Sequence, residues 1–374
     1  MDDFSVKAFG DVFNKSRRID YIASCTSEWH LISTIAFLDE LYEKSKRNLT
    51  GIIILCEHGK NGYIIRESLL NLHSKYGANF YKRDKDTKVS YNTKDILRGM
   101  LLTQNNKLYI ISVVKPWLKM SLECRKIFQC KIVNIIIDEG AGCYSPIYTR
   151  ILLNYKEWGS MRRAIYNFYF EIFTYGVLWL VGIPIKNHYL LYKKRRKLTP
   201  NKLVLKYFKK VVKELPRQEI MFRPMQPYAL LLVQPLKEQG CTNVDAVLQC
   251  FDTIRERCNT AGITLYVKLH PRYDSKEYKE RGFDIVNDRI GVENLLASTT
   301  QKPEFVCGFN TTGLITAGLL YGIRSYSLND LILEDRNIGD KYFRESLKRY
   351  DKQFEGVVPK FSYDYLKSYG EVSC

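Results

Sequence analysis

The ten cysteines, at positions 25, 56, 124, 130, 143, 241, 250, 258, 307 and 374, include no CxxC pair and no zinc-finger spacing. That argues against a redox pair, a structural zinc site or a disulfide framework, and leaves reduced, packed thiols as the expectation. Long apolar runs are missing as well. The longest nearly uncharged stretch, residues 172–185 (IFTYGVLWLVGIPI), falls short of the roughly 20 residues a membrane-spanning helix needs. The N-terminal MDDFSVKAFG lacks the basic-then-apolar pattern of a secretion signal. A cytoplasmic protein is expected, with peripheral attachment to the inner face of the plasma membrane as a variant. Internal repeats and low-complexity tracts are absent too, so neither a solenoid nor a disordered linker protein is indicated.

Acidic residues are the remaining scarcity. Lys and Arg number 58 against 40 Asp and Glu, a formal net charge of +18, and residues 172–213 contain no acid at all. Within that window Lys193, Lys194, Arg195, Arg196, Lys197, Lys202, Lys206, Lys209, Lys210 and Lys213 follow directly on the apolar stretch. An aromatic, apolar segment beside a basic cluster suits an anionic membrane surface. A solvated helix and interdomain linker accounts for the same residues. Nucleic acid is not indicated as a partner, because no RNP, zinc-finger or helix-turn-helix pattern accompanies the charge.

What is present is a globular composition, 45% hydrophobic and 13% aromatic, over 374 residues, enough for two domains with separate cores. Short β-branched runs alternate with longer amphipathic segments, which predicts βα units around parallel sheets. Strands are expected at 20–24, 51–56, 107–114 and 131–137, with helices at 28–46 and 93–103. A second set follows: strands at 228–234, 263–269, 304–307 and 324–327, helices at 244–261, 292–298 and 313–321. The fold class is therefore α/β, two Rossmann-like domains facing across a cleft. The expected division is an N-terminal domain over 1–190, a basic linker over 191–225, a nucleotide-binding domain over 226–345, and C-terminal helices over 346–374 packing back toward the first domain.

Ligands of open α/β sheets bind at the carboxyl ends of strands, so the loops after the best strands are candidate sites. Asp138-Glu139-Gly140 follows IVNIII. Paired carboxylates before a glycine that lets the backbone turn suit a general base, although an acidic turn reads the same way. His270-Pro271-Arg272 follows ITLYVKL, and imidazole can stabilise a leaving phosphate near neutral pH, with Lys268 and Arg272 adding anion affinity. A structural histidine is the plain alternative. Asn310-Thr311-Thr312-Gly313 leads into a helix, placing two hydroxyls and backbone N–H groups where a phosphate could bind. An ordinary N-cap fits those residues equally.

The order Asp-Glu-Gly, then Lys-Leu-His-Pro, then a hydroxyl pair resembles the bacterial sialyltransferases and polysialyltransferases, over roughly residues 20–330. Leu232-Val233-Gln234-Pro235-Leu236 resembles the strand end that opens the nucleotide-binding domain of lipooligosaccharide-type members, and residues 25–41 resemble their first loop and helix. The resemblance implies a GT-B fold and an inverting transfer of sialic acid from CMP-sialic acid to an acceptor glycan, a surface polysaccharide or lipid-linked oligosaccharide. It makes Glu139 the general base with Asp138 in support, and His270 the acid or phosphate ligand. Thr311 and Thr312 would bind that phosphate, with Asn310, Pro271 and Gln234 around the nucleotide. Glu293 would accept from the ribose hydroxyls, and Gly140 and Arg272 would lie on the acceptor side. Neither a cofactor nor a metal is called for; Asp84-Lys85-Asp86 reads as surface. The chain departs from the pattern where Thr-Thr replaces Ser-Ser or Ser-Thr, and where Gly291-Val292-Glu293 lacks the usual proline before the carboxylate. Alternatives are a Kdo or polyol-phosphate transferase using another CMP- or CDP-activated donor, or a noncatalytic protein that binds polyanions or membranes.

Overall fold

The computed structural model describes residues 18–56, 78–83, 101–102, 107–113, 116–128, 130–144, 160–183, 185, 187–193, 198–215, 222–225, 227–237, 239–270, 276–286, 290–334 and 338–370. The chain divides into two compact units. One comprises residues 1–193 with 200–214, the other residues 194–199 with 215–374.

Among the described residues, the main sheet of the first unit has six strands: β1 (Tyr21–Cys25), β2 (Gly51–Cys56), β3 (Ala78–Arg83), β4 (Lys107–Val113), β5 (Lys131–Ile137) and β6 (Asn187–Tyr189). They form one sheet in the order β3-β2-β1-β4-β5-β6, and every pairing is parallel. Burial on both faces explains why β5 reads as a nearly continuous apolar run. Helix α1 (Glu28–Ser45) begins where Ser27 caps it, its hydroxyl accepting from the His30 N–H. Helices α2 (Leu118–Phe128) and α3 (Met161–Leu180) contribute Met120, Cys124 and Leu178 to a core shared with Ile22, Ile52, Leu108 and Ile132.

Helix α4 (Lys202–Glu214) lies inside the window expected to be a linker, and it belongs to this first unit. Its apolar stripe, Val204, Tyr207, Phe208, Val211 and Val212, is buried, and Phe208 sits against Trp29 of α1 with ring centroids 5.3 Å apart. On the polar side Lys210 reaches Asp39 at 2.7 Å and Glu43 at 3.2 Å, while Lys206 reaches Glu43 at 3.1 Å. Hydrogen bonds from Lys206, Lys210 and Tyr207 lower the pKa of the Glu43 carboxyl to about 2. Two lysines of the basic cluster are thus matched by acids of α1. The others on this helix, Lys202, Lys209 and Lys213, are exposed.

The second unit repeats the scheme with β7 (Tyr228–Leu232), β8 (Thr264–Lys268), β9 (Asp284–Ile285), β10 (Phe305–Gly308) and β11 (Arg324–Ser327), ordered β9-β8-β7-β10-β11. All pairs are parallel here too. Helices α5 (Val244–Thr260), α6 (Lys276–Glu280), α7 (Val292–Ser298) and α8 (Thr312–Tyr321) connect the strands, followed by α9 (Asn329–Glu334), α10 (Lys341–Gln353) and α11 (Asp364–Gly370). Phe343 and Leu347 of α10, Phe361, and Leu366 of α11 are part of this unit's own core, with Phe305, Phe309 and Leu328. The C-terminal helices thus bury apolar residues within the second unit.

Candidate functional site

In each sheet the chain order reverses beside the first strand, between β1 and β4 in the first unit and between β7 and β10 in the second. Crevices at such switch points, outside the carboxyl ends of the strands, are where open α/β sheets bind ligands. The second sheet puts three sequence candidates there together. Leu232 pairs with Lys268 on one side and with Gly308 on the other, so these three residues form one row across β8, β7 and β10. Two residues past that row in sequence, just beyond the ends of β8, β7 and β10, lie His270, Gln234 and Asn310. His270 and Gln234 are half-buried. Gly308 makes the row possible, because a Cβ there would stand 2.5 Å from the Leu232 carbonyl oxygen.

Past Gly308 the backbone turns through Asn310, whose φ of 48° is left-handed. Asparagine tolerates that region better than most residues, and its Nδ2 donates to Ser346 Oγ at 3.0 Å. Thr311 is the N-cap of α8: its hydroxyl accepts from the Gly313 N–H at 3.2 Å, and its carbonyl accepts from Tyr350 OH at 2.7 Å. The two threonines thus have different surroundings. Thr311 is buried and engaged in the cap, while Thr312, at the first helical position, is half-buried at the positive end of the helix dipole.

Glu293 lies in the first turn of α7, where Thr316 Oγ1 of α8 donates to its Oε1 at 2.7 Å and Tyr321 OH donates to its carbonyl. Burial raises its carboxyl above the usual glutamate range, against the Thr316 hydrogen bond and the attraction of Lys268. Lys268 is itself buried, donating to the Leu269 carbonyl at 3.0 Å. Its charge attracts the Glu293 carboxylate. Pro271 and Arg272 lie outside the described residues, as does the Asp84-Lys85-Asp86 string.

In the first unit the two acids that follow β5 part company. Asp138 is 1% exposed. Its Oδ1 accepts from the Gly140 N–H at 2.7 Å, and its Oδ2 accepts from the Leu191 N–H at 3.0 Å and from Tyr144 OH. Burial still outweighs these donors and pushes its carboxyl above the ordinary aspartate value. Asp138 therefore ties the strand end to the 3-10 turn Ala141–Tyr144 and to the segment after β6. Gly140, at φ 108°, makes a turn that no L side chain would accept without strain. Glu139, between them, is half-buried, with its backbone N–H donating to Cys143 Sγ at 3.1 Å.

One feature of this edge escaped sequence reasoning. Thr26 and Ser27 follow β1 at the switch point, and His30 turns back so that its Nδ1 lies 2.8 Å from Thr26 Oγ1 and 3.3 Å from the Thr26 N–H. The signal available was a Thr-Ser-x-x-His run directly after a strand.

A family model described as alpha-2,8-polysialyltransferase matches residues 21–330. The chain belongs to that family. It is accordingly a glycosyltransferase, as the motif order implied. No curated protein sequence matches the chain. Among solved structures, it is similar to a putative UDP-N-acetylglucosamine 2-epimerase from Listeria monocytogenes, at 10% identity and a TM-score of 0.46, with 94% of each chain covered. It is also similar to the UDP-GlcNAc 2-epimerase of Neisseria meningitidis bound to UDP-GlcNAc, at 11% identity and a TM-score of 0.44, covering 95% of this chain and 98% of that one. A third, Phytolacca americana UGT2 complexed with UDP-2fluoro-glucose and pterostilbene, gives 9% identity and a TM-score of 0.38, covering 95% and 94%. At this level of similarity they bear on neither substrate nor chemistry. Among the described residues no helix is long and apolar enough to cross a membrane.

Proposed function

We propose that the protein transfers sialic acid from CMP-sialic acid to a hydroxyl of an acceptor glycan, with inversion at the anomeric carbon. The family match over residues 21–330 is the observation that carries this reading, and its description points to the 8-hydroxyl of a sialic acid already on the glycan. Glu139 is the general base. It is the half-buried acid of its pair, whereas Asp138 is buried under three donors. As the acceptor oxygen bonds to the anomeric carbon, its proton passes to Glu139. The bond from that carbon to the CMP phosphate oxygen breaks, and the electron pair leaves with the phosphate.

On the donor side, His270, Gln234 and Asn310 meet the nucleotide at the switch point of the second sheet, each two residues past the row of Lys268, Leu232 and Gly308. His270 gives the leaving phosphate a proton or a positive charge. Thr312 and the start of α8 bind that phosphate, while Thr311 fixes the helix start. Glu293, held between α7 and α8, accepts from the ribose hydroxyls. This chemistry asks for neither cofactor nor metal. Cys25, Cys124, Cys130, Cys143, Cys241, Cys250, Cys258 and Cys307 are free thiols, which fits a reducing setting.

A donor panel tests the reading. CMP-sialic acid, CMP-Kdo and CDP-glycerol are offered with a sialylated oligosaccharide, and products are weighed by mass spectrometry. Addition of sialic acid residues from the first donor alone is expected. Turnover of CDP-glycerol or CMP-Kdo instead would replace the proposed donor, and no turnover of any would favour a noncatalytic polyanion binder.

A further inference from the structure

Helix α3 exposes the side that an amphipathic helix ordinarily buries. Tyr166, Tyr169, Phe173, Trp179 and Leu180 are exposed at 68%, 65%, 59%, 70% and 75%. With Ile165 and Ile172, also exposed, they fall on one face at the helical repeat, a single stripe along a helix of 20 residues, roughly 30 Å long. The opposite stripe, Ala164, Thr174 and Leu178, is buried. Nothing lies within 4 Å of a Cβ placed on Gly176, so the stripe is open at its middle as well. Glu171 is the helix's single acid.

A second feature adjoins the helix end. A cavity of about 380 Å³ is lined by Arg125, Cys130, Lys131, Ile132, Gly182 and Ile183, the last two immediately after α3. Arg125 and Lys131 are both exposed, and no acid is among the described residues that line the cavity. A cationic recess beside a stripe rich in Tyr, Phe and Trp matches the boundary between acyl chains and anionic headgroups.

We propose that α3 lies in the surface of an anionic bilayer, with Tyr166, Phe173 and Trp179 inserted at headgroup depth and a lipid phosphate in the Arg125–Lys131 cavity. Insertion is shallow, since no described helix can span. A second copy of the chain is the competing occupant of the stripe. The net charge of +18 opposes that pairing and favours an anionic surface. Lys131 opens β5 and Glu139 follows its end, so within this unit the cavity lies at the opposite sheet edge from the proposed base.

The test uses the full chain and vesicles of phosphatidylcholine with or without phosphatidylglycerol, read by flotation. Binding to phosphatidylglycerol vesicles is expected, weakened roughly tenfold or more by Phe173→Ser with Trp179→Ser. Arg125→Gln with Lys131→Gln should abolish the preference for the anionic lipid and its salt sensitivity. Bromolipids should quench the wild-type tryptophan emission, and Trp179→Phe should remove most of that quenching. Wild-type protein that stays with neither vesicle, or serine variants that float like wild type, would overturn the proposal. A dimer that the serine pair dissociates, without vesicle binding, would assign the stripe to a second copy instead.

Discussion

Asp138 and Glu139 differ by one position and face opposite physical demands. A carboxylate that must take a proton from a substrate needs access and unfilled acceptor capacity, whereas one that orders a turn needs donors on both oxygens. The buried Asp138 has those donors. Glu139→Gln, which keeps shape but loses basicity, should lower transfer by about 10²-fold or more while leaving CMP affinity close to wild type. Transfer kinetics and CMP titration measure the two effects separately. Asp138→Asn should act instead on stability, because an amide has only one oxygen to serve Gly140, Leu191 and Tyr144. A Glu139→Gln enzyme with near-normal transfer would move the base elsewhere.

Glu293 supplies a prediction about pH. Its folded carboxyl is raised by burial, so the folded state holds the proton to higher pH than the unfolded chain does. The stabilisation is complete below the ordinary glutamate value of about 4.3 and is lost as pH rises through the folded value. Glu293→Gln imitates the protonated form and can still accept from Thr316. Denaturant midpoints of wild type and variant should therefore diverge as pH is raised from about 4.3, with the wild type declining more. Parallel pH curves would mean that Glu293 remains charged in the fold.

At the scale of elements, the start of α8 separates two roles that the Thr-Thr pair leaves merged in the sequence. Thr311→Ala removes the cap and should cost about 1 kcal/mol of stability. Thr312→Ala should leave thermal stability near wild type and weaken CMP binding, as calorimetry can show. Much of this element structure was legible. β2, β5, β11 and α7 fall on their expected bounds, because β-branched runs and short amphipathic segments carry strong local periodicity. The three motif loops were legible because each follows such a strand. Helix α4 was harder to read as part of a domain. Its lysines suggested solvent, whereas Asp39 and Glu43, which receive two of them, lie far away in sequence on α1. The same limit hid the split between Asp138 and Glu139, since the donors from Tyr144 and Leu191 come from outside the motif.

At the scale of the whole molecule, the second unit has a hydrophobic core of its own, and that leads to a prediction about donor recognition. The second unit's core runs from Ala229 through Phe251, Phe305 and Leu347 to Leu366. Its five-stranded sheet is drawn entirely from residues 228–327. Every residue proposed to meet the nucleotide lies in this unit: Gln234, His270, Glu293, Asn310 and Thr312. A fragment of residues 215–374 should therefore fold cooperatively by circular dichroism and bind CMP within about tenfold of the full chain, since the shared row and the α8 cap are intact. It should show no transfer, because Glu139 is missing. The decisive comparison is His270→Ala in both forms. If the nucleotide is held by the second unit, the substitution weakens CMP binding by the same factor in fragment and full chain. A folded fragment that fails to bind CMP would remove the donor site from this sheet and return it to residues of the first unit.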